Sequence, residues 1–203
     1  MSLTKTAIAG LAALTMGLTL SACDTPARPP VTDAPFYNSA LDGTFELIDK
    51  DGRTVRNTDF AGRYQLIYFG YAFCPNVCPF DMQRMMRGYD QFVEANPDLA
   101  DAVQPIFITV DPERDTPERV GQFAAAFSDE VIGLTGTPEQ IEAASEALFF
   151  TYQRIDPLTE GGEYDIQHPS IGYLVDREGE PMAPIPVDQS PEAVAAELEK
   201  WVR

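Results

Sequence analysis

Hydrophobic residues fall into short runs that alternate with amphipathic stretches. The continuous apolar run 65–70 and the β-branched run 103–110 predict strands that are covered on both faces of a sheet. Between them, apolar residues recur at helical spacing and predict a helix that ends before Pro97. These helical positions are Met82, Met85, Met86, Tyr89 and Val93. Because strands alternate with helices, the pattern predicts an α/β fold with parallel strand pairs and helices on the faces of the sheet.

Turn and capping residues place the remaining elements. Lys50-Asp51-Gly52 separates two strand-like segments, 44–49 and 53–55, and predicts a hairpin ahead of the first long strand. The run Thr137-Pro138-Glu139-Gln140 is typical of a helix start, and we expect that helix to reach about Phe149. The same signals predict a helix over 117–127, strands over 152–155, 171–176 and 182–185, and a final helix from Ser190 through Val202.

The first 22 residues are typical of an export signal. They contain one lysine, no acidic residue and an apolar run over 7–20 that is shorter than the ~20 residues of a membrane span. The end of this segment, Leu20-Ser21-Ala22-Cys23, resembles the lipobox of bacterial lipoproteins, which implies that Cys23 is lipidated and becomes the first residue of the mature protein. An ordinary signal peptide with a chance cysteine and an uncleaved N-terminal anchor remain alternatives.

Residues 23–40 form a different kind of segment. They contain four prolines and few aliphatic side chains, which predicts a stiff tether ahead of a domain over 41–203. Asp24 beside the cysteine resembles a signal for retention at the inner membrane of enteric bacteria. We therefore expect a lipid anchor on the periplasmic side of the bacterial inner membrane.

Composition excludes several kinds of function. The 14 Lys and Arg residues against 32 Asp and Glu give a net charge of −18, so nucleic-acid binding is not expected. The partner is instead a cation or a basic protein face. The single histidine excludes sites that need two imidazoles from one chain, and three cysteines are too few for a disulfide scaffold. With lipid on Cys23, only Cys74 and Cys78 remain for chemistry.

These two cysteines lie in the run Cys74-Pro75-Asn76-Val77-Cys78-Pro79, between a buried strand and a helix. Because a proline follows each cysteine, we expect both to be extended, with Pro79 at the first helical position. Cys78 would then lie near the helix N-terminus, where the helix dipole favours its thiolate. A structural disulfide is the less favoured alternative, because so short a loop contributes only ~2 kcal/mol.

His168 lies just before the predicted strand 171–176. A lone histidine is commonly structural, but together with a dithiol it completes a set of two sulfurs and one nitrogen. Such a set suits Cu(I), and it could also hold Zn(II) if a carboxylate or water completed a tetrahedron. The three methionines after Cys78 are assigned to a packed helix face rather than to metal handling, because their spacing is helical.

Three separate motifs in order resemble the Sco/SenC family over about 41–203. They are Tyr68-Phe69-Gly70-Tyr71-Ala72-Phe73-Cys74-Pro75-Asn76-Val77-Cys78-Pro79, then Val110-Asp111-Pro112-Glu113-Arg114-Asp115-Thr116-Pro117, then His168 ahead of Tyr173-Leu174-Val175-Asp176. The resemblance implies a thioredoxin-like fold with a central mixed sheet, helices on both faces and an N-terminal hairpin extension. The chain departs from many members at Ala72-Phe73, where they have Thr-His, and at Asn76, where they have an acidic residue.

The same resemblance implies a site and a role. One copper ion, as Cu(I) or Cu(II), would be bound by Cys74, Cys78 and His168, with Asp111 close to the copper or simply capping a strand. The protein would deliver copper to, or help mature, the binuclear CuA site of cytochrome c oxidase. Expected partners are the oxidase subunit that carries CuA, a periplasmic copper donor or thiol reductant, and the membrane. A monomer is expected, since core packing accounts for every apolar stripe.

A metallochaperone is favoured over an enzyme, but two alternatives remain open. A membrane-anchored thiol-disulfide oxidoreductase would reduce the cysteines of an apo copper site or of another exported protein, with either Cys74 or Cys78 as the attacking sulfur. Peroxide scavenging is weaker, because the two cysteines are close in sequence and His168 would have no role. Copper delivery should require His168, whereas dithiol exchange should depend on it much less.

Overall fold

The computed structural model describes residues 28–159 and 161–203. The predicted signal peptide and Cys23 lie outside the described residues. The strands are β1 (Glu46–Ile48), β2 (Thr54–Arg56), β3 (Tyr64–Gly70), β4 (Val103–Thr109), β5 (Ile132–Leu134), β6 (Gln153–Ile155), β7 (Asp165–Gln167), β8 (Gly172–Val175) and β9 (Pro181–Ile185). The α-helices are α1 (Val77–Ala95), α2 (Pro117–Ala125), α3 (Pro138–Ala147) and α4 (Pro191–Trp201). None of the helices in the described ranges is long and apolar enough to span a bilayer.

Five strands form a central mixed sheet in the order β5-β4-β3-β8-β9. β3 pairs in parallel with β4 and antiparallel with β8, while β5 continues the parallel side and β9 the antiparallel side. The predicted mixed sheet is therefore confirmed. Two strands, β5 and β7, were not predicted, because three residues are too few to show a period in the sequence.

Both faces of this sheet are covered. Every residue of β3 and β4 is buried, although successive side chains on a strand point to opposite faces. On one face, the Tyr68 hydroxyl donates to Asp81 Oδ2 of α1 at 2.9 Å. On the other, Phe69 stacks on Phe150, which follows α3, with ring centroids 4.7 Å apart. The prediction of helices on both faces is confirmed, and the continuous apolar run of β3 is explained by burial on both sides.

The first described residues pack against the domain. The β1–β2 hairpin is joined to the end of β5 by two backbone hydrogen bonds between Ile48 and Thr135, which confirms the expected hairpin extension. Ahead of it, the Phe36 N–H donates to the Met182 carbonyl of edge strand β9 at 3.0 Å. Arg28 Nη1 donates to the Val202 carbonyl oxygen at 2.5 Å. The domain boundary at residue 41 stays a prediction, but residues 28–40 are not free of the fold.

The start of α1 differs from the prediction. The helix begins at Val77, so Cys78 is helical and Pro79 occupies the third helical position. The expectation of an extended Cys78 with Pro79 at the first position was wrong. Pro79 can occupy the third helical position because the first four N–H groups of a helix have no intrahelical acceptor. A proline anywhere in this first turn therefore costs no hydrogen bond. The α3 start is as predicted, with Thr137 and Gln140 forming a capping box.

Gly88 allows α1 and α4 to approach closely. A Cβ atom at this position would lie 2.5 Å from Val194 Cβ and 2.6 Å from the Pro191 carbonyl oxygen. We expect Gly88→Ala to lower the free energy of unfolding by about 1–3 kcal/mol, because the methyl group overpacks the helix interface. Alanine is otherwise the better helix former by about 1 kcal/mol, so the sign of the effect is diagnostic. Urea unfolding followed by circular dichroism measures it.

Gln83→Ala is the matched control for this variant. Gln83 lies on the same helix but is exposed, so its replacement should change the free energy of unfolding by less than about 0.5 kcal/mol. A Gly88→Ala protein more stable than the wild type by about 1 kcal/mol would show that α1 and α4 can move apart at no cost.

Candidate metal centre

The two cysteines and the histidine meet at one end of the central sheet. Cys74 lies in the loop between β3 and α1, Cys78 lies in the first turn of α1, and both are free thiols. His168 Nε2 lies 3.3 Å from Cys78 Sγ, although the two residues are 90 positions apart in sequence. The Cys78 N–H donates to Cys74 Sγ at 3.4 Å. The structure thus brings together the three residues that were predicted as metal ligands.

Strand pairing carries His168 to this place. His168 follows β7 and precedes β8, and β8 pairs antiparallel with β3 so that Gly172 lies opposite Tyr68. The His168 Nδ1 atom is 3.0 Å from the Pro169 carbonyl oxygen, which can only accept. Nδ1 therefore carries the proton of the neutral imidazole and leaves the Nε2 lone pair facing Cys78.

The inner side of the site is aromatic and the outer side is open. The His168 ring lies about equally far from Tyr68, Tyr71 and Phe150, with ring centroids 6.2, 6.0 and 5.9 Å away. Cys78 is fully buried and Cys74 is 9% exposed, whereas His168 is partly exposed beside an open surface depression of about 660 Å³. A partner can therefore reach the site from the histidine side.

One proton is shared between the two thiols. The Cys78 thiol and the backbone N–H groups of Cys78 and Asn76 donate to Cys74 and lower the pKa of Cys74 to about 5. The hydrogen bond to Cys74, together with burial, raises the pKa of Cys78 well above its ordinary value. The prediction that the helix start makes Cys78 the thiolate was wrong. The Cys78 and Asn76 N–H groups at the helix N-terminus point at Cys74, while burial and the hydrogen bond to Cys74 keep the proton on Cys78.

The hydrogen bonds of Asp111 go to residues other than the three candidate ligands. Its carboxylate is 2% exposed, accepts from Arg114 Nε and also accepts from the Tyr164 hydroxyl at 2.7 Å. Its backbone N–H donates to Thr109 Oγ1 at the end of β4. The role of Asp111 beside copper stays a prediction, and any effect on the ligands must pass through neighbouring side chains.

Sequence reasoning gave no role to Asp115, four residues further on. This fully buried carboxylate accepts from the Ala72 N–H and from Thr109 Oγ1, both at 2.6 Å. It therefore joins residues 71–76, the loop between β3 and α1 that we call the cysteine loop, to the end of β4. Desolvation raises its pKa. The sequence did offer one indication, because Asp115 lies in the motif 110–117, in which only Asp111 was given a role. Tyr68 and Tyr71, which flank His168, were missed because their pattern only indicates core strand.

The three candidate ligands are near one another but are not yet arranged around a common metal position. Within 28–159 and 161–203, no three Cys, His, Asp or Glu side chains already form a cluster that encloses a metal position. The Cys78–His168 distance nevertheless fits two ligands of one ion, since bonds of the length seen at tetrahedral zinc separate sulfur and nitrogen by about 3.5 Å. A preformed thiol–imidazole pair with a thiolate beside it is what the chain offers to a soft metal.

Comparison with known proteins shows which family has a similar sequence. The family model described as SCO1/SenC matches residues 34–203. "Protein sco1" of Schizosaccharomyces pombe is 38% identical over 142 residues, which are 68% of this chain and 52% of that protein. A "SCO2-like protein" of Rickettsia felis is 32% identical over 187 residues, 91% of this chain and 88% of the relative. This chain therefore spans about half of the yeast relative and most of the rickettsial one.

Two solved structures carry bound copper in their descriptions. "Bradyrhizobium japonicum ScoI with copper bound" is 33% identical, with a TM-score of 0.66 over 80% of this chain and 100% of that chain. "Arabidopsis thaliana ScoI with copper bound" is 29% identical, with a TM-score of 0.71 over 79% of this chain and 97% of that one. These likenesses confirm the expected thioredoxin-like fold. Together with the family model and the yeast and rickettsial relatives, they establish that the chain belongs to the SCO1/SenC family.

Proposed function

We propose that this protein is a copper metallochaperone that delivers copper to the CuA site of cytochrome c oxidase, or helps that site mature. The observation that carries the proposal is the 3.3 Å contact between Cys78 Sγ and His168 Nε2, with the Cys74 thiolate beside it. Copper is the cargo, one ion per chain, held by Cys74, Cys78 and His168. The copper-bound relatives and the membership of the SCO1/SenC family support this assignment.

The chemistry of the three groups suits a soft ion. Two thiolates and one imidazole favour copper over magnesium or calcium, which prefer oxygen ligands. Cys74 is already a thiolate at neutral pH, whereas Cys78 must lose its proton when the metal binds. Copper uptake therefore releases a proton and requires both cysteines to be reduced, so the redox state of the pair gates loading.

The burial of the ligands sets the order in which they can be exchanged. Cys78 is fully buried, while His168 is partly exposed. An incoming thiolate from the partner can replace the imidazole first, because that ligand faces the open side of the site. The ion then passes to the partner by stepwise ligand exchange.

The remaining assignments extend the same proposal. Residues 1–22 would be a lipoprotein signal peptide, 23–40 a lipidated cysteine and tether, and 41–203 the copper-binding domain. The lipid on Cys23 would hold the domain at the periplasmic side of the bacterial inner membrane, within reach of the oxidase subunit that carries CuA and of a copper donor or thiol reductant. The lipobox-like run that ends in Cys23 supports this location.

Competition titration with Cu(I) under anaerobic conditions tests the ligand set. The reduced wild-type protein should bind one Cu(I) tightly, and His168→Ala, Cys74→Ser and Cys78→Ser should each bind it more than about 100-fold more weakly. Loss of a direct ligand should cost more than the 10–100-fold that is typical of loss of an outer partner. Met86→Leu is the matched control and should leave the affinity unchanged, since Met86 is a buried core residue of α1. Unchanged affinity in His168→Ala would contradict the three-ligand site.

Lipidation of Cys23 has its own test. In cells of a bacterium that processes lipoproteins, the wild-type protein should sediment with the membrane fraction, and Cys23→Ser should move it to the soluble fraction. Ser21→Thr, a small change in the same run, serves as the control and should leave the protein with the membrane. A membrane-bound Cys23→Ser protein would support the uncleaved-anchor alternative instead.

Thiol-disulfide exchange is a second candidate function, favoured by the asymmetry of the two cysteines. Cys74 combines a pKa of about 5 with a 9% exposed surface, whereas Cys78 is protonated and fully buried. Cys74 would attack a substrate disulfide and form the mixed disulfide. Cys78 would then resolve it, and the substrate would leave as a dithiol while the pair is oxidised.

The pH dependence of alkylation measures this asymmetry. The iodoacetamide rate of reduced protein should reach half of its maximum near pH 5 and stay flat at neutral pH, because only the thiolate reacts. An ordinary thiol would keep reacting faster up to about pH 8.5. Cys78→Ala removes the donating thiol, so the Cys74 profile should shift to higher pH. A wild-type profile like that of a free thiol would remove the observation that favours this second function.

A further inference from the structure

The segment that carries His168 is separate from the central sheet. Among the described residues, β6 and β7 pair only with each other, and the hairpin formed by these two strands leads directly into His168. All three residues of β6 are exposed, as are two of the three residues of β7. The position of His168 relative to the thiols therefore depends on a few side-chain contacts that hold this hairpin to the body of the protein.

Arg114 makes the central contact to the hairpin. Its guanidinium lies 3.6 Å above the centre of the Tyr164 ring, and its Nη1 donates to the Tyr164 carbonyl oxygen at 2.9 Å. Tyr164 immediately precedes β7, and its hydroxyl donates to Asp111, which also accepts from Arg114 Nε. Arg114, Asp111 and Tyr164 thus form a closed triangle that fixes the guanidinium against the hairpin.

The same guanidinium also contacts the cysteine loop. It lies 4.7 Å from the centre of the ring of Phe73, which immediately precedes Cys74, and 5.7 Å from that of Tyr71, three positions before Cys74. The Tyr71 hydroxyl is hydrogen-bonded to Asp165, the first residue of β7, and the Tyr71 ring flanks His168. Arg114 therefore lies between the two segments that supply the candidate ligands and touches both.

We propose that Arg114 is a positioning residue that sets where His168 stands relative to the two cysteines. This inference rests on the proposed copper site and adds a residue that touches none of its ligands. The planar guanidinium stacks on aromatic rings and donates in fixed directions, which a lysine cannot reproduce. Its side chain is 18% exposed and that of Asp111 is 2% exposed, so water screens the pair little. Asp111 acts on the site by holding Arg114 in place.

A double-mutant cycle separates positioning of His168 from a general effect. Arg114→Gln should weaken Cu(I) binding by the purified full-length protein about 10-fold, the lower end of the range for loss of an outer partner. In the His168→Ala background the same substitution should have no further effect, because the group that it positions is gone. Equal losses in both backgrounds would overturn the proposal.

Arg119→Gln is the matched control. Arg119 lies 5.8 Å from the centre of the same Phe73 ring, and within the described residues it makes no hydrogen bond, ion pair or cation–π contact with the hairpin. This variant should bind Cu(I) as the wild type does. A loss equal to that of Arg114→Gln would show that contact with the cysteine loop alone is responsible, and the proposal would fail.

Amide hydrogen exchange of the metal-free protein tests the role of Arg114 without copper. In the reduced metal-free protein, Arg114→Gln and Arg114→Lys should speed amide hydrogen exchange in β6, in β7 and at His168 at least about 10-fold, while β3 and α1 exchange as in the wild type. Uniformly faster exchange would indicate general destabilisation, and unchanged exchange in the hairpin would refute the positioning role. If the wild type fails to bind Cu(I), the proposed function fails, and hydrogen exchange still decides whether Arg114 holds the hairpin.

Discussion

The position of β3 between β4 and β8 is the constraint on which the site depends. β3 runs parallel to β4 and antiparallel to β8. The C-terminal ends of β3 and β4 and the beginning of β8 therefore lie at the same end of the sheet. The loops at these three places are the cysteine loop, the segment 110–117 and the segment that ends in His168. Strand direction therefore brings three motifs that are far apart in sequence to the same end of the sheet.

The electrostatics of the site follow from this placement. The first turn of α1 directs N–H groups at Cys74, and the neighbouring Cys78 thiol gives it a hydrogen bond, so the negative charge resides on the more accessible sulfur. Burial keeps the proton on Cys78 until a cation compensates the second charge. With Cys74 as a thiolate and Cys78 as a thiol, the pair can either bind a soft cation or form a disulfide. The adjacent imidazole of His168 favours the cation.

Buried carboxylates connect the segment 110–117 to both sides of the site. Asp115 accepts from the backbone of the cysteine loop, and Asp111 accepts from Arg114, which contacts the His168 hairpin. Two acidic residues of one short motif thus serve the two ligand-bearing segments. Polar residues of such a motif need not bind the metal themselves. Buried hydrogen bonds from these residues also hold the ligand-bearing segments in place.

Local sequence determined the elements and the chemistry. Apolar runs predicted β3 and β4, capping residues predicted the start of α3, and residue types alone indicated Cys74, Cys78 and His168. Period and capping are local properties, so they could be predicted without tertiary contacts. Only the tertiary structure decided which sulfur is the thiolate, because that depends on where the helix N–H groups point and which thiol is buried. It also decided the roles of Asp115 and Arg114, since their partners lie about 40 to 50 positions away in sequence and come into contact only when the sheet has formed.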